Sequence, residues 1–142
     1  ENNKEKIKII NNEYRENNKD KINKRQKERL NNDNLYKLTQ YTRSMMNKAF
    51  NSINSKKNSK TSKILGCSFE EFKLHLESKF EDWMTWENYG KYNGELNYGW
   101  DIDHMMPLSS AVTEEDIYRL NHFTNLQPLC SYNNRYIKKD NF

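Results

Sequence analysis

The first 65 residues contain neither glycine nor proline. Because these two residue types interrupt helices most often, nothing in this part of the chain forbids long helices. Residues 1–63 also hold 17 Lys and Arg against 7 Asp and Glu, a net charge of +10. Apolar side chains are sparse before residue 34, so this segment can bury little surface by itself. We expect a solvated basic helix or a disordered arm.

The charge of the chain changes sign after this segment. Residues 64–142 hold 7 Lys and Arg against 13 Asp and Glu, a net charge of −6. A basic arm on an acidic body indicates a polyanion as the partner of the arm, although a solubilising tail has the same composition. The acidic body repels that polyanion unless cations intervene, and a bound metal ion is one way to supply them.

Two cysteines and the hydropathy pattern bound the class of protein. Cys67 and Cys130 lack a CxxC partner, so we expect no structural zinc site and a reduced chain. No apolar run reaches the length of a membrane span, and no signal peptide is visible. We therefore expect an intracellular protein, in the cytoplasm or nucleoid of the host cell, with no membrane partner.

Helical signals dominate residues 34–80. Five apolar residues recur at spacings of 3 and 4 and predict one packing face of a helix: Leu38, Tyr41, Met45, Ala49 and Ile53. The Lys- and Ser-rich stretch at 55–63 is a predicted linker. Ser68 and Glu71 then form a capping box, which predicts a helix over 69–80.

The next segment carries strand signals. Asn93-Gly94 lies between aromatic residues and predicts the turn of a hairpin. A strand is predicted through 100–104, and Pro107 lies just beyond its end.

Residues 113–140 predict two more helices and a second strand. Thr113 precedes three acidic residues, which favours a helix that begins there and runs to about residue 121. A second strand is predicted at 126–130 and a final helix at 131–140, with Ser131 as its cap. The order of these elements predicts an α+β fold.

The first strand carries polar residues that a buried strand rarely tolerates. Alternation places Asp101 and Asp103 on one face and His104 on the other, but at the strand end Asp103 and His104 can both reach one pocket. A buried carboxylate is costly unless it is paired or binds a metal. Oxygen ligands suit Mg²⁺ or Mn²⁺, and a neutral histidine is a suitable general base near pH 7. Asp101 is predicted either as a third ligand or as the partner of a lysine.

Three motifs follow one another along the second half of the chain: WDIDHMMPLSSA from residue 100, HFTNLQPL from residue 122 and YNNRYIKK from residue 132. Over about 64–140 the chain resembles the HNH endonuclease family, with its ββα-metal (His-Me finger) core. It is most similar to phage and virus enzymes, homing types among them, that have Asn at the third motif position. The resemblance implies a ββα-metal core in an HNH nuclease domain at 64–142. The charge and composition of the preceding residues predict a mainly helical, basic DNA-binding arm at 1–63.

The resemblance also implies roles for single residues. His104 is the general base that deprotonates water, and Asp103 is a metal ligand. Asn125 braces the loop between the motifs and holds the histidine in position. Asn134 supplies the second oxygen to one Mg²⁺ or Mn²⁺ ion, with Asn133 as its rival.

Several basic residues are expected to contact DNA. Lys138 shares a helix face with Asn134 and is predicted either to hold a phosphate near the metal or to be a solvated lysine. His122 is predicted to contact phosphate, with a hydrogen-bonded structural histidine as the alternative. The full set of expected DNA contacts is Lys138, Arg135, His122, Lys24, Arg25 and Arg43.

These features together predict a metal-dependent DNA endonuclease, monomeric or homodimeric, that hydrolyses phosphodiester bonds. The family implies products with 5′-phosphate and 3′-hydroxyl ends, and one set of motifs per chain predicts a nickase. The alternatives are a DNA-binding module with an inactive HNH core, and an RNA-directed nuclease.

Overall fold

The computed structural model describes residues 2–138. Residues up to Lys37 belong to one compact unit, and residues from Leu38 onward form a second. Helices are combined with a two-stranded antiparallel sheet, which agrees with the predicted α+β class.

The first unit is helical, which its lack of glycine and proline allows. Helix α1 spans Asn2–Asn17 and helix α2 spans Lys19–Asn32. No residue of α2 is buried, and Tyr14 on α1 is exposed. Of the two expectations for this segment, the basic helix is therefore the one observed. No helix in the described part of the chain has the length and apolarity needed to cross a membrane.

Helix α3, Asn34–Ser52, supplies the first wall of the core, but its buried face is displaced from the predicted one. The buried residues are Leu38, Thr42, Met46, Ala49 and Phe50. Tyr41 is exposed, and Met45 and Ile53 are only partly buried. A polar residue enters this face because the Thr42 hydroxyl donates a hydrogen bond of 2.8 Å to the carbonyl oxygen of Leu38.

The compact units divide after Lys37, whereas the sequence places the functional division after residue 63. From Leu38 onward, α3 joins the same hydrophobic core as the short helix α4, Thr61–Leu65. Helix α3 therefore belongs to the basic segment 1–63 by charge, although from Leu38 onward it packs in the same core as residues of the acidic half. As a division of function, the boundary after residue 63 stays a prediction.

Two capping boxes set the starts of helices α5, Phe69–Glu77, and α6, Glu114–Leu120. The Glu71 backbone N–H donates to Ser68 Oγ at 3.1 Å, while the Glu71 carboxylate accepts from the Ser68 N–H at 2.8 Å. Thr113 and Asp116 repeat this exchange at α6. Both predicted starts are confirmed, and α5 ends three residues before the predicted end.

The sheet pairs β1, Trp100–His104, with β2, Leu126–Cys130, in antiparallel register. Asp103 faces Gln127, and His104 faces Leu126. Both predicted strands are confirmed.

The predicted hairpin at Asn93-Gly94 is wrong, because no strand flanks this pair within residues 2–138. The Asn93 side-chain oxygen accepts the backbone N–H of Glu95 at 3.0 Å and closes a local turn. The chain just before it pairs in parallel with β1 through a bridge between Tyr89 and Trp100. A parallel bridge between the two sides of the turn differs from the antiparallel pairing that a hairpin requires.

The chain after β2 is helical, but its geometry differs from the prediction. Residues Asn133–Lys138 form a π-helix, and the predicted extension to residue 140 lies outside the described residues. Ser131 does not act as the predicted cap, because its buried Oγ has no hydrogen-bond partner among the described residues. Wide π-helical turns are rare and are frequently found at functional sites.

The core below the sheet is aromatic. Trp100 is fully buried, with ring centroids of Tyr89 at 4.5 Å, Phe80 at 4.9 Å and Trp86 at 5.3 Å. Its indole N–H donates to the carbonyl oxygen of Thr85 at 2.7 Å. Trp86 and Trp100 are therefore core residues, and Trp100 anchors the start of β1 in this core.

This unit also contains His75 and the two cysteines. His75 Nε2 lies 2.9 Å from the carbonyl oxygen of Leu126, which links α5 to β2. Cys130 is buried, and burial raises the pKa of the Cys67 thiol to about 11. Both cysteines are free in the structure.

Gly99, immediately before β1, permits a close approach of two backbone segments. A Cβ atom added at this position would lie only 2.0 Å from the Lys91 carbonyl oxygen, far inside van der Waals contact. We expect Gly99→Ala to lower the free energy of unfolding by about 1–3 kcal/mol, because the Lys91 backbone cannot move aside as a flexible side chain can. The shift of the urea midpoint measures this loss. Gly94→Ala is the control for backbone strain without a clash, since its Cβ meets nothing within 4 Å while its φ of +91° disfavours alanine. A Gly99→Ala variant with the urea midpoint of wild type contradicts this account of the packing.

Candidate functional site

Asp103 is the buried acid of the site. It is 5% exposed and lies one residue before the end of β1. Its Oδ2 accepts hydrogen bonds from Gln127 Nε2 at 2.9 Å and from Lys138 Nζ at 2.6 Å. The register of the sheet supplies Gln127, and the π-helix supplies Lys138. The cost of burying this carboxylate is thus offset by one amide and one cation.

Three oxygen atoms surround the Lys138 ammonium group. Besides Asp103 Oδ2, these are the main-chain oxygens of His104 at 2.7 Å and Met105 at 3.5 Å. We call this set the oxygen cradle. Hard divalent cations such as Mg²⁺ and Mn²⁺ prefer oxygen ligands of this kind, so the oxygen cradle suits such an ion. In this structure the positive charge among these oxygens is that of the Lys138 ammonium.

The acidic donors at the cradle are few. No group of three or more His, Cys, Asp or Glu side chains that could hold a metal occurs among residues 2–138. A divalent ion here would therefore rely on Asp103 together with amide, main-chain and water oxygens, and it would compete with the Lys138 ammonium for that carboxylate.

Asn134 and Asn133, the two candidates for the second metal ligand, are both half-buried on the π-helix. Asn134 lies about one turn before Lys138, the residue that reaches Asp103. Neither asparagine side chain forms a hydrogen bond within the described part of the chain. Their amide oxygens therefore have no competing partner there, and the choice between them stays a prediction.

His104 is half-buried at the end of β1, and its Nε2 lies 3.1 Å from Asn121 Oδ1. Burial lowers the pKa of the imidazole, and the hydrogen bond to Asn121 and the charge of Asp103 offset only part of this effect. A lowered pKa keeps the ring neutral near pH 7, which is the form that accepts a proton from water.

Asn125 ties the loop after β1 to the end of α6. Its Oδ1 accepts the Met106 N–H at 2.9 Å, and its Nδ2 donates to the carbonyl oxygens of Met106 at 3.1 Å and Leu120 at 2.8 Å. These contacts match the bracing part of its predicted role. The imidazole of His104 itself is contacted by Asn121, which the sequence analysis missed because it lies outside the three motifs.

Arg135 and Lys138 anchor the π-helix to β1. The Arg135 guanidinium forms a bidentate ion pair with Asp101, with Nε at 3.0 Å and Nη2 at 3.2 Å from the two carboxylate oxygens. It also lies 4.6 Å from the ring centre of Tyr92. The partner of Asp101 is thus an arginine rather than the predicted lysine, and Arg135 is already paired in the absence of DNA.

His122 has a structural environment. Its Nδ1 lies 2.8 Å from Thr124 Oγ1. Its ring packs against Gly66, where a Cβ would meet Nε2 at 2.2 Å. These contacts favour the structural alternative for His122 over the predicted phosphate contact.

The other expected DNA contacts are exposed. Lys24 and Arg25 lie on α2 in the first unit, and Arg43 lies on α3 in the second. Each is accessible to a polyanion.

Arg43 also borders a depression that the sequence analysis did not identify. We call it the basic groove; its volume is about 470 Å³, and it is lined by Arg43, Asn47, Lys57, Lys60, Thr61, Ser62 and Phe69. It contains three cationic side chains and no acid. None of the three forms an ion pair within residues 2–138, so their charge is available to an anionic ligand. The sequence assigned Lys57 and Lys60 only to a linker.

Comparison with known proteins gives two uncharacterized relatives. Uncharacterized protein L246 of Acanthamoeba polyphaga mimivirus is 31% identical over 118 residues, which covers 79% of this chain and 48% of that protein. Uncharacterized protein L426 of the same virus is 31% identical over 114 residues, which covers 79% of this chain and 46% of that protein. The chain spans about half the length of the curated relatives it matches. No protein-family model and no solved structure matches it.

Proposed function

We propose that this chain is a metal-dependent DNA endonuclease with an HNH core that hydrolyses phosphodiester bonds. The observation that carries the proposal is the position of the buried carboxylate of Asp103 at the end of β1, next in sequence to the His104 imidazole, whose pKa is lowered, and beside the oxygen cradle. The order of two antiparallel strands and a following helix supports it, as do the three motifs in the sequence.

In the proposed reaction His104 accepts a proton from the attacking water, and Asp103 with Asn134 holds one Mg²⁺ or Mn²⁺ ion. When bound, such an ion polarises the scissile phosphate and stabilises charge on the leaving oxygen. Asn125 keeps the loop after β1 in place, so that His104 and Asp103 retain their relative positions. For such an ion to be held there, Lys138 would have to release Asp103, and its ammonium would then be free to contact a phosphate.

The proposed partner is DNA, which the exposed cations of α2 and the basic groove would contact. The acidic half of the chain disfavours a polyanion, so binding requires a surface of concentrated positive charge. The basic groove supplies three cations without a neighbouring acid, on the same compact unit as His104.

The groove gives a testable prediction about DNA affinity. We expect the triple variant Arg43→Gln/Lys57→Gln/Lys60→Gln to bind duplex DNA more weakly and with a smaller salt dependence. Each lost phosphate contact removes about 0.9 from the slope of log affinity against log salt, so the slope should fall by about 2 to 3. Fluorescence anisotropy in EDTA, on a His104→Ala background, measures binding without cleavage.

The matched control is Lys48→Gln/Lys79→Gln/Lys91→Gln, which removes three exposed lysines of the same unit from other surfaces. It alters the net charge equally, so it should reproduce only the general electrostatic loss. If the two triple variants show the same slope, the groove is not a DNA contact.

A second prediction concerns strand cutting. Each chain has one candidate site, which contains His104 and Asp103. The phosphate of the opposite DNA strand lies across a groove roughly 6–12 Å wide. We therefore expect a monomer to convert supercoiled plasmid to open circles before linear molecules appear. Time courses at several enzyme concentrations measure this order. Direct conversion to linear DNA, with a steep concentration dependence, contradicts the monomeric nickase and favours a dimer with two opposed sites.

A DNA-binding module with an inactive core is the second candidate. The 2.6 Å ion pair between Lys138 and Asp103 favours it, because a permanent pair excludes a divalent ion from the carboxylate. This candidate predicts DNA binding without Mn²⁺ binding, whereas the endonuclease predicts both. An RNA-directed nuclease remains a further alternative, and cleavage of matched RNA and DNA duplexes separates the two substrates.

A further inference from the structure

Asn121 contacts Nε2 of His104, which is the one nitrogen of that ring with a partner among residues 2–138. It is fully buried at the end of α6, and its side chain lies between His104 and the preceding helical turn. Asn121 Nδ2 donates to the carbonyl oxygen of Ile117 at 2.9 Å, and Asn121 Oδ1 lies 3.1 Å from His104 Nε2.

These two contacts fix the orientation of the amide. The Ile117 carbonyl can only accept a hydrogen bond, so the amide nitrogen of Asn121 must face it. The amide oxygen then faces His104, and because that oxygen only accepts, His104 Nε2 must carry the proton. A neutral imidazole has one protonated nitrogen, so its Nδ1 holds the lone pair.

His104 Nδ1 is accessible to solvent. It forms no hydrogen bond within the described part of the chain. Among the described residues, Ser131 Oγ is the only buried side-chain polar atom without a hydrogen-bond partner. His104 Nδ1 also has no partner there, so it is not one of the buried atoms. A water molecule can therefore reach the lone pair.

We propose that Asn121 is the positioning residue of the site, which holds His104 as the Nε2–H tautomer and presents Nδ1 as the atom that takes the proton from water. The proposal rests on the proposed function for the role of Nδ1, whereas the tautomer itself is a property of the folded chain. It also divides two tasks between two asparagines: Asn125 holds the loop, and Asn121 holds the ring.

The test compares two variants. Asn121→Leu keeps the number and branching of the side-chain heavy atoms but lacks the acceptor, whereas Asn121→Asp keeps an acceptor for His104 and lacks the donor to Ile117. The ¹⁵N chemical shifts of the two ring nitrogens, measured on the metal-free protein at a pH where His104 is neutral, identify the tautomer without any need for activity. We expect Nε2–H in wild type and in Asn121→Asp, and a mixture of tautomers in Asn121→Leu.

Cleavage provides the second readout. Loss of an orienting partner typically lowers activity about 10–100-fold, so Asn121→Leu should lose that much in kcat with little change in KM, and Asn121→Asp should recover part of it. His75 is the internal control for folding, because its Nε2 contacts the carbonyl oxygen of Leu126 at a separate place. Its signals should stay unchanged.

Three results overturn the proposal. These are an Nδ1–H tautomer in wild type, an unchanged tautomer and rate in Asn121→Leu, or loss of Nε2–H in Asn121→Asp with the His75 signals intact. If Asn121→Leu does not fold, the Asn121→Asp result decides. A wild type that shows the Nε2–H tautomer but cleaves nothing contradicts the proposed function and leaves the tautomer assignment standing.

Discussion

Replacing His104 with alanine is expected to lower the rate of DNA cleavage by about 10²–10⁴-fold, because that is the contribution of a general base to such reactions. The expectation follows from a half-buried imidazole that burial keeps neutral, held at the end of β1 beside Asp103. Single-turnover cleavage of a short labelled duplex, with enzyme in excess, measures the chemical step directly.

The same variant should bind DNA with nearly the affinity of wild type, since His104 carries no charge at neutral pH. Circular dichroism and thermal melting show whether the fold is retained. If folded His104→Ala cleaves at the rate of wild type, His104 is not the base, and the proposed mechanism is wrong at its centre.

Replacing Asp103 with asparagine is expected to abolish the binding of Mn²⁺. This change keeps the size of the side chain and removes its charge, so it tests the carboxylate rather than the packing. Calorimetric titration of wild type should show one site, and the variant should show none. One site of unchanged affinity in Asp103→Asn places the ion elsewhere.

Lys138 provides the opposite change at the same site. Its ammonium competes with the ion for Asp103, so Lys138→Met should bind Mn²⁺ more tightly than wild type. Asn134→Ala should weaken Mn²⁺ binding, and Asn133→Ala should not. If the two asparagine variants behave in the reverse way, the ligand is Asn133.

The elements predicted well are those with signals inside a few neighbouring residues. The capping boxes at Ser68 and Thr113 fix where α5 and α6 begin, because each box satisfies backbone groups of the same helical turn. The strands at 100–104 and 126–130 were likewise located from local residue types and from Pro107.

The features that the sequence did not predict depend on contacts between distant residues. Asn93-Gly94 has the residues of a hairpin turn, yet Tyr89 before it bridges to Trp100 after it in parallel rather than in the antiparallel sense of a hairpin. On α3 the spacing alone did not show that Thr42 enters the core, since its hydroxyl is satisfied within the helix.

The site shows the same limit. The motifs brought His104, Asp103 and Asn125 to attention, but the pairing of Asp103 with Lys138 joins residues 35 positions apart. Asn121 lies 17 positions from His104 and carries no motif, so its contact with the imidazole became visible only in the folded chain.

The most direct test of the endonuclease proposal is the conversion of supercoiled plasmid by the purified chain, in Mg²⁺ and in EDTA, with His104→Ala prepared in parallel. We predict that open circles accumulate only with wild type and only in Mg²⁺ or Mn²⁺. If wild type binds the plasmid but leaves it supercoiled in both metals, or if His104→Ala nicks it as fast, the chain is not an HNH endonuclease of the proposed mechanism.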